Sequence, residues 1–217
     1  MTGVSNGIKG FKLLKSSPVV TELISLIETR LPLFTSSNSF NEILVTKKNE
    51  TSHSTAFILF MMKDQDKFTF MNETGQKGSF TIDIGIYERA TDELIFTIEA
   101  KVLPTPKGTK ANPRSESEYV YSEPGHRGAG IERFKAGYHG LNNRMEPLPV
   151  NGMIAYIKEN DFASWLTIVN GWIKKITWDT SEELQQTYIN DTAKFISQHL
   201  RTDGTALELH HFWVEVN

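Results

Sequence analysis

Residues 79–103 read SFTIDIGIYERATDELIFTIEAKVL. Two runs rich in β-branched and aromatic residues flank the polar turn Ala90-Thr91-Asp92-Glu93, so the stretch predicts a β-hairpin. The first strand carries Asp83 between isoleucines, and the second ends in Glu99-Ala100-Lys101. Side chains alternate along a strand, so Glu99 and Lys101 share one face while Ala100 takes the other. Paired across the hairpin, two carboxylates and an amine converge at one edge. A hard divalent cation with a lysine beside it suits that set. The second strand is otherwise apolar or β-branched through Ile95, Phe96, Thr97 and Ile98, and continues into Val102 and Leu103. Charges on so apolar a strand are costly unless they pair or work.

On the N-terminal side, residues 1–17 show little periodicity and read as flexible. Pro18 opens a helical pattern in which Val19, Leu23, Leu26, Ile27 and Leu31 recur, and Pro32 should end or kink it. A second helix is expected over 40–50, with Phe40, Ile43 and Leu44 inward. Residues 54–63 are apolar enough for either a buried strand or a helix. Residues 68–73 alternate as a strand, and Gly75 and Gly78 turn the chain towards the hairpin.

On the C-terminal side, residues 104–130 form a long Pro- and Gly-rich stretch, of the kind that is functional or disordered in a compact domain. Ile131, Phe134 and Tyr138 then mark one face of a short helix, with Arg133 and Lys135 projecting elsewhere. Residues 151–159 read as a strand. Asp161 should cap a helix whose apolar side holds Trp165, Ile168, Val169, Trp172 and Ile173. Residues 181–200 are expected to form another helix, and 206–216 a final strand. No internal repeat or linker is evident, so the expectation is one α/β domain over 1–217, a mixed central β-sheet flanked by helices, with a largely helical part from 160 onward.

The chain has 217 residues, with 39% hydrophobic and 23% charged, enough for a sizeable core. No apolar run approaches a membrane span, and no secretory signal is seen, so the expectation is a cytoplasmic protein with no membrane partner. Cysteine is absent, which excludes disulfides, thiolate catalysis and zinc–thiolate clusters. Net charge is −3, but residues 101–145 hold eight Lys/Arg against four Glu, a local +4 that leaves −7 for the remainder. A basic segment just after an acidic cluster is what phosphate handling requires, although a solvated loop can also be basic.

The Asp83 strand followed by Glu99-Ala100-Lys101, with a preceding helix that bears an acid, resembles the PD-(D/E)XK nuclease superfamily, the restriction-endonuclease-like fold. Asp83 and Glu99 lie 16 positions apart, ordinary for such a hairpin. Ile82 stands where the family name implies proline. The resemblance covers residues 40–160 and implies a Mg²⁺-dependent deoxyribonuclease, with Mn²⁺ able to substitute. It implies Asp83 and Glu99 as metal ligands, Lys101 as the water- and charge-orienting catalytic residue, and Glu42 as the additional catalytic acid. Glu22, Glu28 and Glu73 are rivals for that last role. Arg133, Lys135, His139 and Arg127 are the expected substrate-binding residues. Bacterial or phage restriction or antiviral defence follows as a setting. DNA is the implied substrate, with RNA as a variant. A homo-oligomer or a subunit of a larger complex is expected, since little of the chain is left over to read sequence. The alternative is a catalytically silent scaffold or nucleic-acid-binding subunit with the same fold.

Other motifs point less far. Gly125-His126-Arg127-Gly128-Ala129-Gly130 lacks the Lys-Ser/Thr ending of a phosphate loop. His210 and His211 are neighbours on a strand and face opposite sides, so they cannot readily share one ion. The tryptophans fit a core helix better than a stacking platform, and no Gly-x-Ser-x-Gly elbow occurs.

Overall fold

The computed structural model describes residues 16–46, 49–110, 113–124, 129–189 and 192–216. Residues 1–15 and Arg127 therefore lie outside the described residues. Among the described residues, three helices precede the hairpin: α1 (Pro18–Thr35), α2 (Asn38–Thr46) and α3 (Glu50–Met62). Ser17 caps α1 by accepting from the Val20 N–H, and Pro18 fills the first turn, where a missing N–H costs nothing. Pro32 does not end α1, which runs on to Thr35. The apolar run at 54–63 is helical because Asn49 starts a helix ahead of it: its Oδ1 accepts from the Ser52 N–H at 2.8 Å. Residue 50, expected at the end of one helix, is instead the first residue of the next.

Strands β1 (Phe68–Gly75), β2 (Thr81–Glu88) and β3 (Glu93–Leu103) follow, then α4 (Gly130–Lys135), β4 (Val150–Ile157) and α5 (Phe162–Lys175). Strands β5 (Gln185–Ile189), β6 (Thr192–Leu200) and β7 (Ala206–Glu215) complete one seven-stranded sheet ordered β1-β2-β3-β4-β7-β6-β5. The predicted hairpin is present, with β2 antiparallel to β3. Strands β3, β4 and β7 run parallel at the centre, and β6 and β5 add antiparallel at the far edge. The fold is thus α/β with a mixed sheet between two cores. One core packs α1, α2 and α3 on Ile84, Ile86, Ile98, Ala100 and Val102. The other packs α4 and α5 on Leu103, Met153, Ala155, Phe195 and Trp213. Ala100 faces the first core, as the alternation requires.

The helix expected over 181–200 is not formed. A single 3-10 turn at Thr180–Glu182 leads into β5 and β6. Ala193, Phe195, Ser197 and His199 are buried at every second position, a period-two pattern that a strand satisfies and a helix does not. Among the described residues, the part of the chain from 160 onward is therefore one α-helix, a 3-10 turn and three strands.

The described residues 113–121 between β3 and α4 pack into the fold, although the composition of the stretch reads as a loop. Ser115, Ser117, Tyr119, Val120 and Tyr121 are buried. Carbonyls of Glu118, Tyr119 and Val120 accept from the N–H groups of Gly130, Ile131 and Glu132 at 2.9, 3.2 and 2.9 Å. Those are first-turn N–H groups of α4, which no intrahelical partner could satisfy. Gly130 permits this approach, since a Cβ there would stand 2.3 Å from the Tyr119 carbonyl oxygen and 2.6 Å from Met153 Cε. The 2.3 Å contact is with backbone, which cannot step aside cheaply.

Two glycine substitutions should therefore move stability in opposite directions. Gly130→Ala should cost about 1–3 kcal/mol by overpacking. Gly171→Ala, in α5 with open space around the added methyl, should gain about 0.5–1 kcal/mol. Urea midpoints of the two variants check both signs, and an unchanged midpoint for Gly130→Ala would contradict the close approach.

Candidate active site at a fork in the sheet

The site arises where β2 and β3 part. Their pairing runs from Glu88↔Glu93 to Ile84↔Ile98 and stops. Beyond it, β2 stays on β1 through Ile82 and Thr81, whereas β3 stays on β4 from Glu99 to Leu103. Asp83 is the residue at the fork. The edge of β3 that has lost its neighbour carries N–H groups that need acceptors. Two carboxylates supply them. Asp83 Oδ2 accepts from the Ala100 N–H at 2.7 Å, and Glu50 Oε2 from the Val102 N–H at 3.3 Å.

On the same stretch of β3, Glu99 and Lys101 are buried, at 2% and 4% exposure. Lys101 Nζ donates to Glu99 Oε1 at 2.5 Å and to the Ala100 carbonyl at 2.9 Å. Arg133, from α4, donates to the same Glu99 oxygen at 3.2 Å. His139 Nδ1 stands 3.3 Å from Glu99 Oε2, off the hydrogen-bonding line, and neither of its ring nitrogens has a hydrogen-bond partner.

These neighbours set the charges. Burial would raise the Glu99 carboxyl, but Lys101, His139 and Arg133 outweigh it and hold Glu99 well below the carboxylate range. Burial would likewise lower Lys101, yet Glu99, Glu50 and Asp83 keep its ammonium above the ordinary lysine value. Asp83 goes the other way: burial first, then the Glu99 charge, push it well up despite Lys101. Burial also raises Glu50, against the pull of Lys101.

The structure thus brings Asp83, Glu99, Lys101, Arg133 and His139 together. Glu42 lies exposed on α2, and the helix acid in contact with the β3 edge is Glu50. The signal for Glu50 was present in Asn49, a cap residue that opens a helix and makes the next residue a first-turn acid. Glu22 and Glu28 pair with Lys67 and Lys194, and Glu73 is exposed on β1. Lys135 points away from the fork, paired with Glu182 and 4.0 Å above the Trp178 ring.

Much of the local positive charge is used internally. Besides Lys101, Arg133 and Lys135, Arg114 forms a two-pronged pair with Glu118 at 2.7 and 3.0 Å, and Arg144 pairs with Glu93. Lys107 and Lys110 are exposed.

Oxygen-only carboxylates of the kind Mg²⁺ prefers are present in Asp83, Glu99 and Glu50, so the donor chemistry fits. The arrangement itself is closed around Lys101. Among the described residues, no three His, Asp or Glu side chains stand ready as a ligand set. Compared with known proteins, the chain matches no family model, no curated protein and no solved structure.

A second polar chain anchors α4 from behind. Trp213 Nε1 donates to the Tyr119 hydroxyl at 2.9 Å, and that hydroxyl lies 2.7 Å from His211 Nδ1. Ser197 Oγ is 2.7 Å from both His211 Nε2 and His199 Nε2, and His199 Nδ1 is 2.7 Å from Glu182, the partner of Lys135. His210 instead bonds Glu208 at 2.9 Å. The two neighbouring histidines therefore belong to different environments, as their alternation predicts.

His53, in α3 behind Glu50, is buried with neither ring nitrogen partnered, and burial with the charge of Lys158 lowers it to about 4. Its folded value lies below the unfolded value of about 6.5, so the unfolded chain binds the extra proton between them. Stability tied to His53 is thus complete above about 6.5 and lost as pH falls towards 4. His53→Leu should stabilise the protein, and by more at pH 5 than at pH 8. Urea midpoints at both pH values test it; an equal gain at both would show that His53 does not titrate this way.

The charge assignments give a second pair of outcomes. Lys101→Met leaves Glu99 buried with only Arg133 and His139 and should cost about 3 kcal/mol. Asp83→Asn keeps an acceptor for Ala100 but removes a crowded carboxylate, and should gain about 0.5–2 kcal/mol. Denaturation in EDTA at pH 7.5 measures both, and a destabilised Asp83→Asn would overturn the assignment for Asp83.

Proposed function

We propose that the protein is a Mg²⁺-dependent deoxyribonuclease of the restriction-endonuclease-like kind, hydrolysing DNA phosphodiester bonds at the fork between β2 and β3. One observation carries the reading: three carboxylates, Asp83, Glu99 and Glu50, converge on a buried lysine at the carboxyl-terminal part of a central parallel strand. Ligand sites in α/β sheets collect at such strand ends. Asp83 and Glu99 would hold the cation, with Glu50 taking the helix-acid role expected for Glu42. When bound, Mg²⁺ supplies charge neutralisation at the phosphoryl group and a more acidic water.

The chain's own residues do the rest. Lys101 is held protonated, so it serves as a fixed positive charge facing the oxygens on which charge develops, and not as a base. Arg133 reaches the site from α4 and can exchange its Glu99 contact for a phosphate oxygen, a geometry guanidinium favours. His139 sits beside Glu99 with unpartnered nitrogens, available to the same oxygens. Lys135 lies too far round α4 for this, so its substrate role would be indirect. The proposed setting is a cytoplasmic enzyme working as a homo-oligomer or within a defence complex.

A second reading has one observation in its favour. Glu99 Oε1 is taken by both Lys101 and Arg133, an arrangement that suits a silent scaffold that binds nucleic acid without cutting it.

Plasmid DNA incubated with the purified protein in Mg²⁺, Mn²⁺ or EDTA separates the two. The expected outcome is nicking or linearisation with either metal and none in EDTA. Asp83→Asn should lower the rate by roughly 10²-fold or more while fold and DNA binding persist. Binding without cleavage under every metal condition would favour the scaffold, and cleavage of RNA alone would change the substrate.

A further inference from the structure

Beside the fork, Phe80 and Tyr138 stack with ring centroids 4.7 Å apart and planes within 18°. Phe80 lies three positions before Asp83, and Tyr138 follows the end of α4. The sequence places Tyr138 on a helical face with Ile131 and Phe134, but α4 stops at Lys135, and Tyr138 is 40% exposed. The Arg133 guanidinium sits over the Phe80 ring, 5.8 Å from its centroid, while also bonding Glu99. One side chain thus touches both the stack and the carboxylate cluster.

The stack is held in place. Gln76, buried in the turn between β1 and β2, accepts from the Leu141 N–H at 2.9 Å and donates to the Leu141 carbonyl at 3.3 Å. Its own N–H donates to the Phe80 carbonyl at 2.8 Å. That double bond of one amide to one residue staples the segment carrying Phe80 to the segment carrying Tyr138. The side chain of Lys77, in the same turn, is exposed.

We propose that this stack is a nucleobase subsite, which receives an unpaired base within two nucleotides of the phosphodiester cleaved at Asp83, Glu99 and Lys101. The inference rests on the nuclease reading above. An exposed aromatic ring, held on a second ring that carries an arginine, with the proposed phosphate-handling site next door, is the combination that holds single-stranded nucleic acid. Every base offers a π-face, so such a subsite selects for an unstacked nucleotide and not for a sequence. The substrate is accordingly DNA with a single-stranded, frayed or gapped segment at the cut. A purely covering role for the rings, shielding Glu99 and His139 from water, is the competing account.

The test is cleavage of end-labelled single-stranded and gapped-duplex oligonucleotides in Mn²⁺ by the wild-type chain, Tyr138→Ala and Tyr138→Phe. Each substrate is also made with one abasic position, scanned through the three nucleotides on either side of the cut. The wild-type chain should lose roughly 5- to 100-fold in kcat/KM at one abasic position. Tyr138→Ala should lose the same factor on the intact strand and nothing further at that position, and Tyr138→Phe should behave as wild type. Cleavage indifferent to Tyr138→Ala and to every abasic position would overturn the subsite and leave the nuclease reading standing. Equal losses by Tyr138→Ala on intact and abasic strands, with a lowered urea midpoint, would make the rings a cover and also overturn it. Failure to cleave any DNA would remove the nuclease reading and the subsite together.

Discussion

The local structure of the site depends on two hydrogen bonds from backbone to carboxylate. Where β2 leaves β3, the N–H groups of Ala100 and Val102 lose the strand that would have paired them, and Asp83 and Glu50 take its place. An unpaired buried N–H costs about as much as a lost hydrogen bond with its desolvation, so the fork needs acceptors there. Supplying them with carboxylates has a consequence that a neutral acceptor would not. It draws negative charge to the edge of a strand whose next face already holds Glu99. Lys101 is what makes that concentration tolerable. The sheet's irregularity and the site's charge are therefore one feature, since closing the fork would remove the reason for two of the three acids.

The helix α4 is fixed from two sides by unlike means. At its front, Arg133 bonds Glu99. At its back, Lys135 meets Glu182, the end of the chain through His199, Ser197, His211 and Tyr119. That chain has a single consistent direction. Trp213 can only donate to Tyr119, and Glu182 can only accept. Tyr119 must then donate to His211, His211 to Ser197, Ser197 to His199, and His199 to Glu182. Reversing the first link strands the Tyr119 hydroxyl proton in the core, and reversing a later one forces a charged histidine or strands the Ser197 proton. Both histidines are thereby held neutral, in accord with the lowering that burial produces on each. Arg133 thus stands on a helix whose far end is locked into β6 and β7 by a satisfied network, which is how a cation is kept at a site with limited freedom.

The sequence carried the hairpin legibly because its signal is local. Alternation placed Glu99 and Lys101 on one face and Ala100 in the core, and the turn chemistry at 90–93 set the strand lengths. It carried α5 for the same reason, with Asp161 as the cap. What it hid were features decided at a distance. The strands β5 and β6 read as a helix because Leu184, Tyr188, Ile189 and Phe195 can be fitted to a helical face; only the far edge of a sheet gives His199 and Ser197 a reason to be buried. Glu50 was hidden by assigning 40–50 to one helix, when Asn49 divides it. Arg133 was found, but its partner was not, since a loop of unknown path separated it from Glu99. The basic balance of residues 101–145 overstated the charge available to a ligand, because pairing with Glu99, Glu118, Glu182 and Glu93 consumes most of it.

That pairing bears on how the cluster is poised. Glu99 accepts from Lys101 and Arg133 through one oxygen, so its second oxygen, facing His139, is the one less committed. Asp83 is the reverse case, a carboxylate whose neighbours disfavour its charge. A positive ligand entering between them gains from Asp83 what it must take from the Lys101 pair at Glu99. The two effects oppose, so under the proposed function a cation's gain at Asp83 would be set against its loss at the Lys101–Glu99 pair. A site in which every carboxylate were as well paired as Glu99 would have no such incentive. One in which all were as crowded as Asp83 would cost the fold more than its two backbone hydrogen bonds return. The combination places the stored cost on Asp83 and Glu50, the two acids at the fork, where the geometry of the sheet already requires acceptors.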